Sequence, residues 1–540
     1  MQTLALNWKY FDLNELKQLY GAIQIDRFWL LKATGIGLST FSLLYLAKIW
    51  HSYQFFKKRG IKTPPIEFIF GNVRQTFRNK NISEQLYEWT KNYGKVYGFF
   101  EGHQPVLVTS DIDIIQNCLI KQASNFAARK KTHLNPRDSS PYVDLFIAKN
   151  SQWKRMRMVM NPTFSSAKLR ELSPVLINCA DRLIDVLDKE TDKPVNVAQF
   201  FKRFTMDSIW NCAFGVDINI QYERESEYFI KCEKIFKDFS DLNFLSYLSD
   251  YCHEFREIIV DLIIIFNRFL GLFIDIRNLM PFYWLRVKIK DLIKFRKNSS
   301  AEIKRKDYIQ LLLDANEEFK RENNYSNIKK YMTDVEVESN LILFMLAGYE
   351  TTSNTLSNSC FVLATKPDEQ IKLFNEISSM FHLNSELNAD NVQDLKYLDL
   401  FIKEVLRVYP IGTLIRRCTK ATNVNGIDIP YDTPIAFDVL SVHGDPDLWG
   451  PVDPGVFYPE RHETKRHPLA FLGFGAGPRN CIGMKFALIE LKIALIKLIL
   501  NFEFIKSDIS MHNRLQFEEG IVRTAINGVT VILKKRQNSQ

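Results

Sequence analysis

The chain has 540 residues, 46% of them hydrophobic and 25% charged, with 22 Gly and 19 Pro, which excludes collagenous, low-complexity and disordered chains and predicts a buried core. The net charge of +9 is spread without a dense Lys/Arg stripe, so a nucleic-acid partner is not expected and an anionic membrane or acidic protein partner fits better. The 8 cysteines, at 118, 179, 212, 232, 252, 360, 418 and 481, lack the short paired spacings of a zinc site or secreted disulfide framework, so a reducing compartment is expected.

The first predicted element is a membrane helix. Residues 1–27 precede an almost wholly apolar run, Phe28 to Trp50, interrupted only by Lys32 and Lys48 near its ends, whose long side chains can snorkel toward headgroups. A cleaved signal peptide is the rival reading, against which stand the long leader and the lack of a small-residue cleavage site after the run. Asp12, Glu15 and Asp26 speak against a mitochondrial transit peptide. Lys57, Lys58, Arg59 and Lys62 come next, and the positive-inside bias puts the chain beyond the span in the cytosol and residues 1–27 on the luminal side. Residues 51–75, with Thr63-Pro64-Pro65, read as a basic, stiff linker to a single body over residues 76–540.

The body has mostly helix-period patterning, with β-like pieces at Val96 to Val108, Val424 to Ile429 and Val529 to Leu533. Trp153 and Arg157 stand i, i+4 on one helix, which sets an indole donor beside a guanidinium and suits a carboxylate; core packing is the bland alternative for Trp153. Ile258 to Trp284 reads as core or as a second membrane contact, with Asp261, Arg268, Asp275 and Arg277 against a span. The best-defined helix starts at a Thr333/Glu336 capping box and runs to Thr365, where Lys366-Pro367 stops it. It contains Ala347-Gly348-Tyr349-Glu350-Thr351-Thr352, which alone is as readily a packing notch as a site. Glu404 and Arg407 share a face of a helix over Leu395 to Val408, and alone are an ordinary ion pair.

The strongest signal is Phe474-Gly475-Ala476-Gly477-Pro478-Arg479-Asn480-Cys481-Ile482-Gly483, followed by an apolar helix from Ile482 to Leu500. A glycine-rich loop lets backbone approach a flat ligand, and a helix N-terminus offers N–H groups and positive dipole to a thiolate at Cys481. The G-x-G-x-G spacing of Gly473, Gly475 and Gly477 lacks the third glycine of the dinucleotide pattern and comes after no clear strand. A buried structural cysteine is the other alternative. The loop resembles the haem loop of the cytochrome P450 family, F-x-x-G-x-R-x-C-x-G, matched by Phe474, Gly477, Arg479, Cys481 and Gly483. Further segments occur in the family's order. Phe457-Tyr458-Pro459-Glu460-Arg461 resembles its P-E-R segment, so the resemblance implies a buried structural network of Glu404, Arg407 and Arg461, with His462 standing where an aromatic is more usual. It also implies that Trp153, Arg157, Arg479 and Arg416, the last with Arg417 as rival, hold haem propionates, and that Glu350 and Thr351 relay protons in an oxygen-activation motif.

The fold so implied is mainly α: the cytochrome P450 fold, a large helical domain with a small β-rich region, preceded by one N-terminal transmembrane helix. The implied cofactor is haem b, iron protoporphyrin IX, with Cys481 as axial ligand of the iron. The implied activity is monooxygenation, one atom of O2 entering a lipophilic sterol, fatty acid or xenobiotic, in a single-pass protein of the endoplasmic reticulum membrane with a cytosolic body. No flavin or nicotinamide fingerprint occurs in the chain, so the implied electron source is an NADPH-dependent flavoprotein reductase, with cytochrome b5 as a further donor. Lys485, Lys492, Lys154 and Arg155 read equally as a basic docking patch or as solvated faces. A haem-thiolate isomerase, dehydratase or peroxygenase, and a non-catalytic haem sensor, are the competing classes. Phe344, Ala347, Ile411, Leu414 and Ile521 are the expected apolar pocket wall.

Overall fold

The computed structural model describes residues 27–78, 81–132, 140, 142–223, 225–240, 244–270, 280–298, 307–322, 331–381, 387–507 and 514–536. It divides into two compact units, Met1–Phe55 and Phe56–Gln540. In the first, helix α1 (Arg27–Lys57) carries exposed Trp29, Leu31, Leu43 and Leu44, but Thr34, Gly35, Gly37, Ser39, Thr40 and Ser42 dilute it. Among the described residues no helix is long and apolar enough to cross a membrane. The transmembrane helix expected over Phe28 to Trp50 is therefore corrected to a helix of mixed composition. The expected luminal segment, Arg27 apart, lies outside the described residues, and the linker begins later than expected because α1 continues to Lys57.

In the second unit, α2 (Ile82–Tyr93) leads into the hairpin β1 (Val96–Glu101) and β2 (Gln104–Thr109). Helices α3 (Asn150–Met160) and α4 (Ser166–Asp188), strand β3 (Pro194–Asn196) and helix α5 (Val197–Phe214) succeed it. Next come α6 (Glu227–Ser240), α7 (Phe244–Tyr251), α8 (Arg256–Leu270), α9 (Pro281–Asn298) and α10 (Tyr308–Glu322). Then α11 (Asp334–Thr365), α12 (Pro367–Met380) and α13 (Lys396–Val408) precede strands β4 (Leu414–Arg417), β5 (Thr422–Val424), β6 (Ile427–Ile429) and β7 (Pro434–Phe437). Helix α14 (Met484–Asn501) and strands β8 (Phe502–Lys506), β9 (Phe517–Glu519), β10 (Arg523–Ala525) and β11 (Thr530–Lys535) complete it. One sheet runs β1-β2-β7-β4, parallel between β2 and β7 and antiparallel elsewhere. A second runs β3-β11-β8, and β5/β6 and β9/β10 are two-stranded. Most of these strands are too short for an alternation to stand out in sequence.

The 32-residue α11 is the axis of the unit. Its start is capped reciprocally: Thr333 Oγ1 accepts from Glu336 N at 3.2 Å while Glu336 Oε2 accepts from Thr333 N at 2.8 Å, satisfying two N–H groups that the first turn leaves without partners. Pro367 starts the next helix instead of prolonging this one. Helix α5 packs closely because position 348 is glycine; a Cβ there would lie 2.9 Å from Ile209 Cδ1. Thr205 Oγ1 of α5 donates to Tyr349 O at 2.8 Å, pinning the contact. Helix α14 is apolar nearly all round, with Ile493, Ala494, Leu495, Leu498 and Ile499 fully buried, as a central helix requires. Each such large side chain contributes about 1.5–3 kcal/mol of burial.

The Ile258 to Trp284 stretch divides. Ile258, Leu262, Ile265, Phe266 and Phe269 of α8 are exposed, whereas Trp284 of α9 is buried edge-on to Tyr228. Asp275 and Arg277 lie outside the described residues.

Glu490 of α14 is fully buried, with the Ser208 and Thr352 hydroxyls toward it, and burial pushes its carboxyl up to about 8. The folded chain then holds a proton that the unfolded chain releases in the ordinary carboxylate range, so this contribution to stability is present below that range and lost as pH rises through about 8. Glu490→Gln should flatten the pH dependence of the urea midpoint between about pH 5 and about pH 8.5; equal slopes for the two proteins would count against a neutral Glu490.

Candidate active site

The loop before α14 is shaped by its own backbone. Gly475 and Gly477 sit at φ 69° and 71°, and Cys481 N donates to Phe474 O at 2.9 Å, closing the loop behind the sulfur. A Cβ at Gly477 would lie 2.0 Å from Leu119 O, so the loop rests directly on the backbone of the π-turn Asn117–Lys121. All eight cysteines are free, and Cys481 alone among them is exposed. Although accessible, its thiol is surrounded closely enough that desolvation raises its pKa, against the Gly483 N–H and the charges of Arg157 and Arg129. α14 begins only at Met484, three residues beyond the sulfur, and the Gly483 N–H is the backbone donor that faces it.

Four guanidinium groups gather around this loop. Arg157 of α3 donates to Asn480 O and Oδ1, both at 2.9 Å. Arg479 donates to Ala127 O at 2.9 Å, to Leu145 O at 3.3 Å and to Ala148 O. Its Cζ stands 5.0 Å over the Trp153 ring, so the buried indole supports Arg479 from below. Strand alternation separates the two rivals on β4. Arg416 reaches Arg479 O at 3.4 Å, while Arg417 pairs with Asp432 and donates to Arg129 O. The fourth is Arg129, stacked 3.8 Å over Phe146, its buried Nε without a hydrogen-bond acceptor. Burial lowers Arg129 to about 10, Arg479 to about 9 and Arg416 well below its usual value. The nearby carboxyl, Asp144, is itself pushed up to about 6 by burial. Four guanidinium groups, Arg416 buried and the other three partly buried, stand against one weakened anion, an excess of positive charge that suits a ligand bearing two carboxylates. The residues thus fit the propionate edge of a haem. Arg129 was missed by sequence reasoning because it lies in irregular chain with no motif or periodicity to mark it.

On α11 the expected relay residues diverge. Ala347 is exposed, and Thr351, one turn on along the same face, donates from Oγ1 to Ala347 O at 2.8 Å. Glu350 is instead buried toward α5, its Oε1 3.7 Å from Lys202 Nζ; burial raises its carboxyl and Lys202 opposes the rise.

The expected pocket residues separate similarly. Phe344 is stacked on Tyr308 at 4.3 Å and packed by Phe164 and Phe486, both at 5.8 Å, so it belongs to an aromatic cluster between α10 and α14. Ile411, Leu414 and Ile521 lie on segments tied to one another. Arg523 N donates to Ile411 O at 2.7 Å, and Glu519 accepts from Thr413 N and Oγ1, both at 3.1 Å. The same carboxylate takes Ser83 N at 2.8 Å and Ser83 Oγ at 2.9 Å, so it fastens the β9/β10 hairpin to the start of α2 as well.

Glu404, Arg407 and Arg461 are brought together behind the loop. The Glu404 carboxylate accepts from Arg407 Nε at 2.7 Å and Nη2 at 2.8 Å and from Arg461 Nε at 3.0 Å. Burial would raise it, but the Arg407 and His462 hydrogen bonds hold it down at about 2. The basic patch shrinks: Lys492 is buried against Asp399 at 3.3 Å and Arg155 is paired twice with Glu336, leaving Lys154 and Lys485 exposed. Gly477→Ala should cost at least about 2 kcal/mol of stability, because both the φ and the contact with Leu119 O forbid a side chain; an unchanged thermal midpoint would contradict the close approach.

The sequence profile described as Cytochrome P450 matches residues 62–530. The chain is similar to cytochrome P450 3A56 of Fundulus heteroclitus, 32% identical over 495 residues that cover 88% of this chain and 93% of the relative. It is likewise 33% identical to cytochrome P450 3A31 of Mesocricetus auratus over 479 residues, 86% and 89% of the two chains, and 33% identical to cytochrome P450 3A2 of Rattus norvegicus over 471 residues, 84% and 87%. With a loop that backs one accessible cysteine and a basic cluster suited to two carboxylates, the chain belongs to the cytochrome P450 family and is a haem-dependent monooxygenase.

Proposed function

We propose that Cys481 is the axial ligand of the haem iron, that Arg129, Arg157, Arg416 and Arg479, with Trp153 beneath Arg479, receive the propionates, and that Glu350 and Thr351 deliver protons on the other side. The observation that carries this reading is the excess of partly and fully buried positive charge beside the one exposed cysteine. Phe474, Gly477 and Gly483 shape the loop: the Phe474 carbonyl accepts the Cys481 N–H, Gly477 allows close seating, and the Gly483 N–H faces the sulfur. Haem b, when bound, supplies dioxygen activation and substrate oxidation, and electron donation from a thiolate ligand favours O–O cleavage. Cys481 would give up its thiol proton on binding the iron.

The protein's own part is orientation and proton supply. Burial raises the Glu350 carboxyl, which favours its holding a proton, while Lys202 at 3.7 Å stabilises the carboxylate left when that proton departs. The Thr351 hydroxyl, donating to Ala347 O, leaves its lone pairs free to accept a hydrogen bond, so that Oγ1 can orient a water or oxygen species that carries the proton. This hydroxyl favours oxygen activation over an isomerase, dehydratase or peroxygenase, none of which needs protons delivered there. A lipophilic sterol, fatty acid or xenobiotic against Ala347, Ile411, Leu414 and Ile521 is the substrate class the apolar lining suits. Electrons come from an NADPH-dependent flavoprotein reductase, or cytochrome b5, drawn to the exposed Lys154 and Lys485. The exposed apolar side chains of α8 rest on the endoplasmic reticulum surface, with the body in the reducing cytosol that its free cysteines suit.

Cys481→Ala should abolish the red-shifted absorption band of the reduced carbon monoxide complex, and a variant that keeps the band removes Cys481 as ligand. Thr351→Ala should divert NADPH oxidation from product to peroxide by on the order of tenfold or less, within what one proton-transfer group contributes; unchanged coupling removes Thr351 from the relay. Leu262→Asp with Phe266→Asp on α8 should lower sedimentation with phosphatidylcholine–phosphatidylserine vesicles, and equal binding would count against α8 as a membrane contact.

A further inference from the structure

His462 comes directly after Arg461, where the family more usually has an aromatic residue. Its side chain is 6% exposed, and its Nε2 lies 2.9 Å from Glu404 Oε2. Counting Arg407 Nε and Nη2, Arg461 Nε and the Tyr458 backbone N at 3.0 Å, the carboxylate has five donors against about four lone-pair sites. An ionised carboxylate only accepts, so His462 must carry its hydrogen on Nε2. The neutral ring suffices for that bond; burial lowers its pKa, as do the charges of Arg407 and Lys403, against the pull of Glu404.

The ring held there touches the segment that leads into the cysteine loop. His462 meets Trp449 edge-on at 5.1 Å and Phe471 edge-on, at 90°, at 5.9 Å. Phe471 in turn presses on Gly473: a Cβ there would lie 2.5 Å from Phe471 Cζ. Its other face is stacked on His443 at 5.7 Å, and His443 Nε2 accepts from Leu472 N at 2.9 Å. Three residues beyond Phe471, the Phe474 carbonyl receives the Cys481 N–H. We propose that His462 is a positioning residue for the Cys481 loop: as a donor to Glu404 it fixes its ring against Phe471, and Phe471 against Gly473 fixes the base of the loop that presents the sulfur.

The inference rests on Cys481 being the haem ligand, and its test separates the two. The reduced protein under carbon monoxide is held at a urea concentration below its helix-unfolding midpoint, and decay of the red-shifted band is followed alongside far-UV circular dichroism. His462→Phe keeps a ring of similar breadth without the donor, and the band should decay on the order of tenfold faster with the circular dichroism midpoint unchanged. Phe471→Leu should accelerate the decay comparably, and the double variant should be no faster than the faster single one, because both act through one contact. A wild-type decay rate in His462→Phe, a midpoint that falls in step with the band, or multiplied rates in the double variant would each overturn the proposal. Wild-type protein without the band overturns the ligand assignment instead, and this inference with it.

Discussion

The site depends on partly and fully buried positive charge for which the surrounding chain supplies one weakened carboxyl. Desolvating a guanidinium is expensive unless an anion accompanies it, yet Arg129, Arg416 and Arg479 crowd one side of the cysteine loop with the weakened Asp144 among them. The backbone carbonyls of Ala127, Leu145 and Ala148 offset part of that cost by accepting from Arg479. The remainder suits the dianionic edge proposed to dock there, and an anion bound at that place would stabilise the folded region as well.

Around that charge the helices supply geometry. α14 carries the cysteine loop at its start and is buried along its length, so the sulfur is fixed relative to the core. α11 brings Ala347 and Thr351 along one face, and the notch at Gly348 lets α5 approach closely enough for Lys202 to face Glu350. Behind the loop, the Glu404 cluster brings α13 together with the segment around Arg461, and the charges there compensate one another. Glu404 is held ionised by its donors, in contrast to the equally buried Glu490, whose burial only the Ser208 and Thr352 hydroxyls oppose and which stays neutral.

Much of this was legible in the sequence for identifiable reasons. The capping box at Thr333 and Glu336 and the stop at Lys366-Pro367 bound α11 because both signals are local. The cysteine loop was legible because glycine and proline mark backbone that ordinary residues cannot adopt. The features that escaped depend on partners distant in sequence. Arg129 reaches the site through irregular chain; Phe344 looks like a pocket residue on a helix face until Tyr308 and Phe486 close over it; Lys492 reads as a surface cation until Asp399 is found beside it. Glu350 and Thr351 are adjacent in sequence, yet a rotation of about 100° per residue turns them to different neighbours. The apolar run at Phe28 to Trp50 formed its helix, but the small and hydroxylated residues within it count against a span.

The most direct test of the central claim is iron K-edge X-ray absorption of the purified haem protein. The account predicts one sulfur scatterer in the first coordination shell of the iron, lost in Cys481→Ser. A wild-type spectrum fitted by nitrogen and oxygen ligands alone would contradict it.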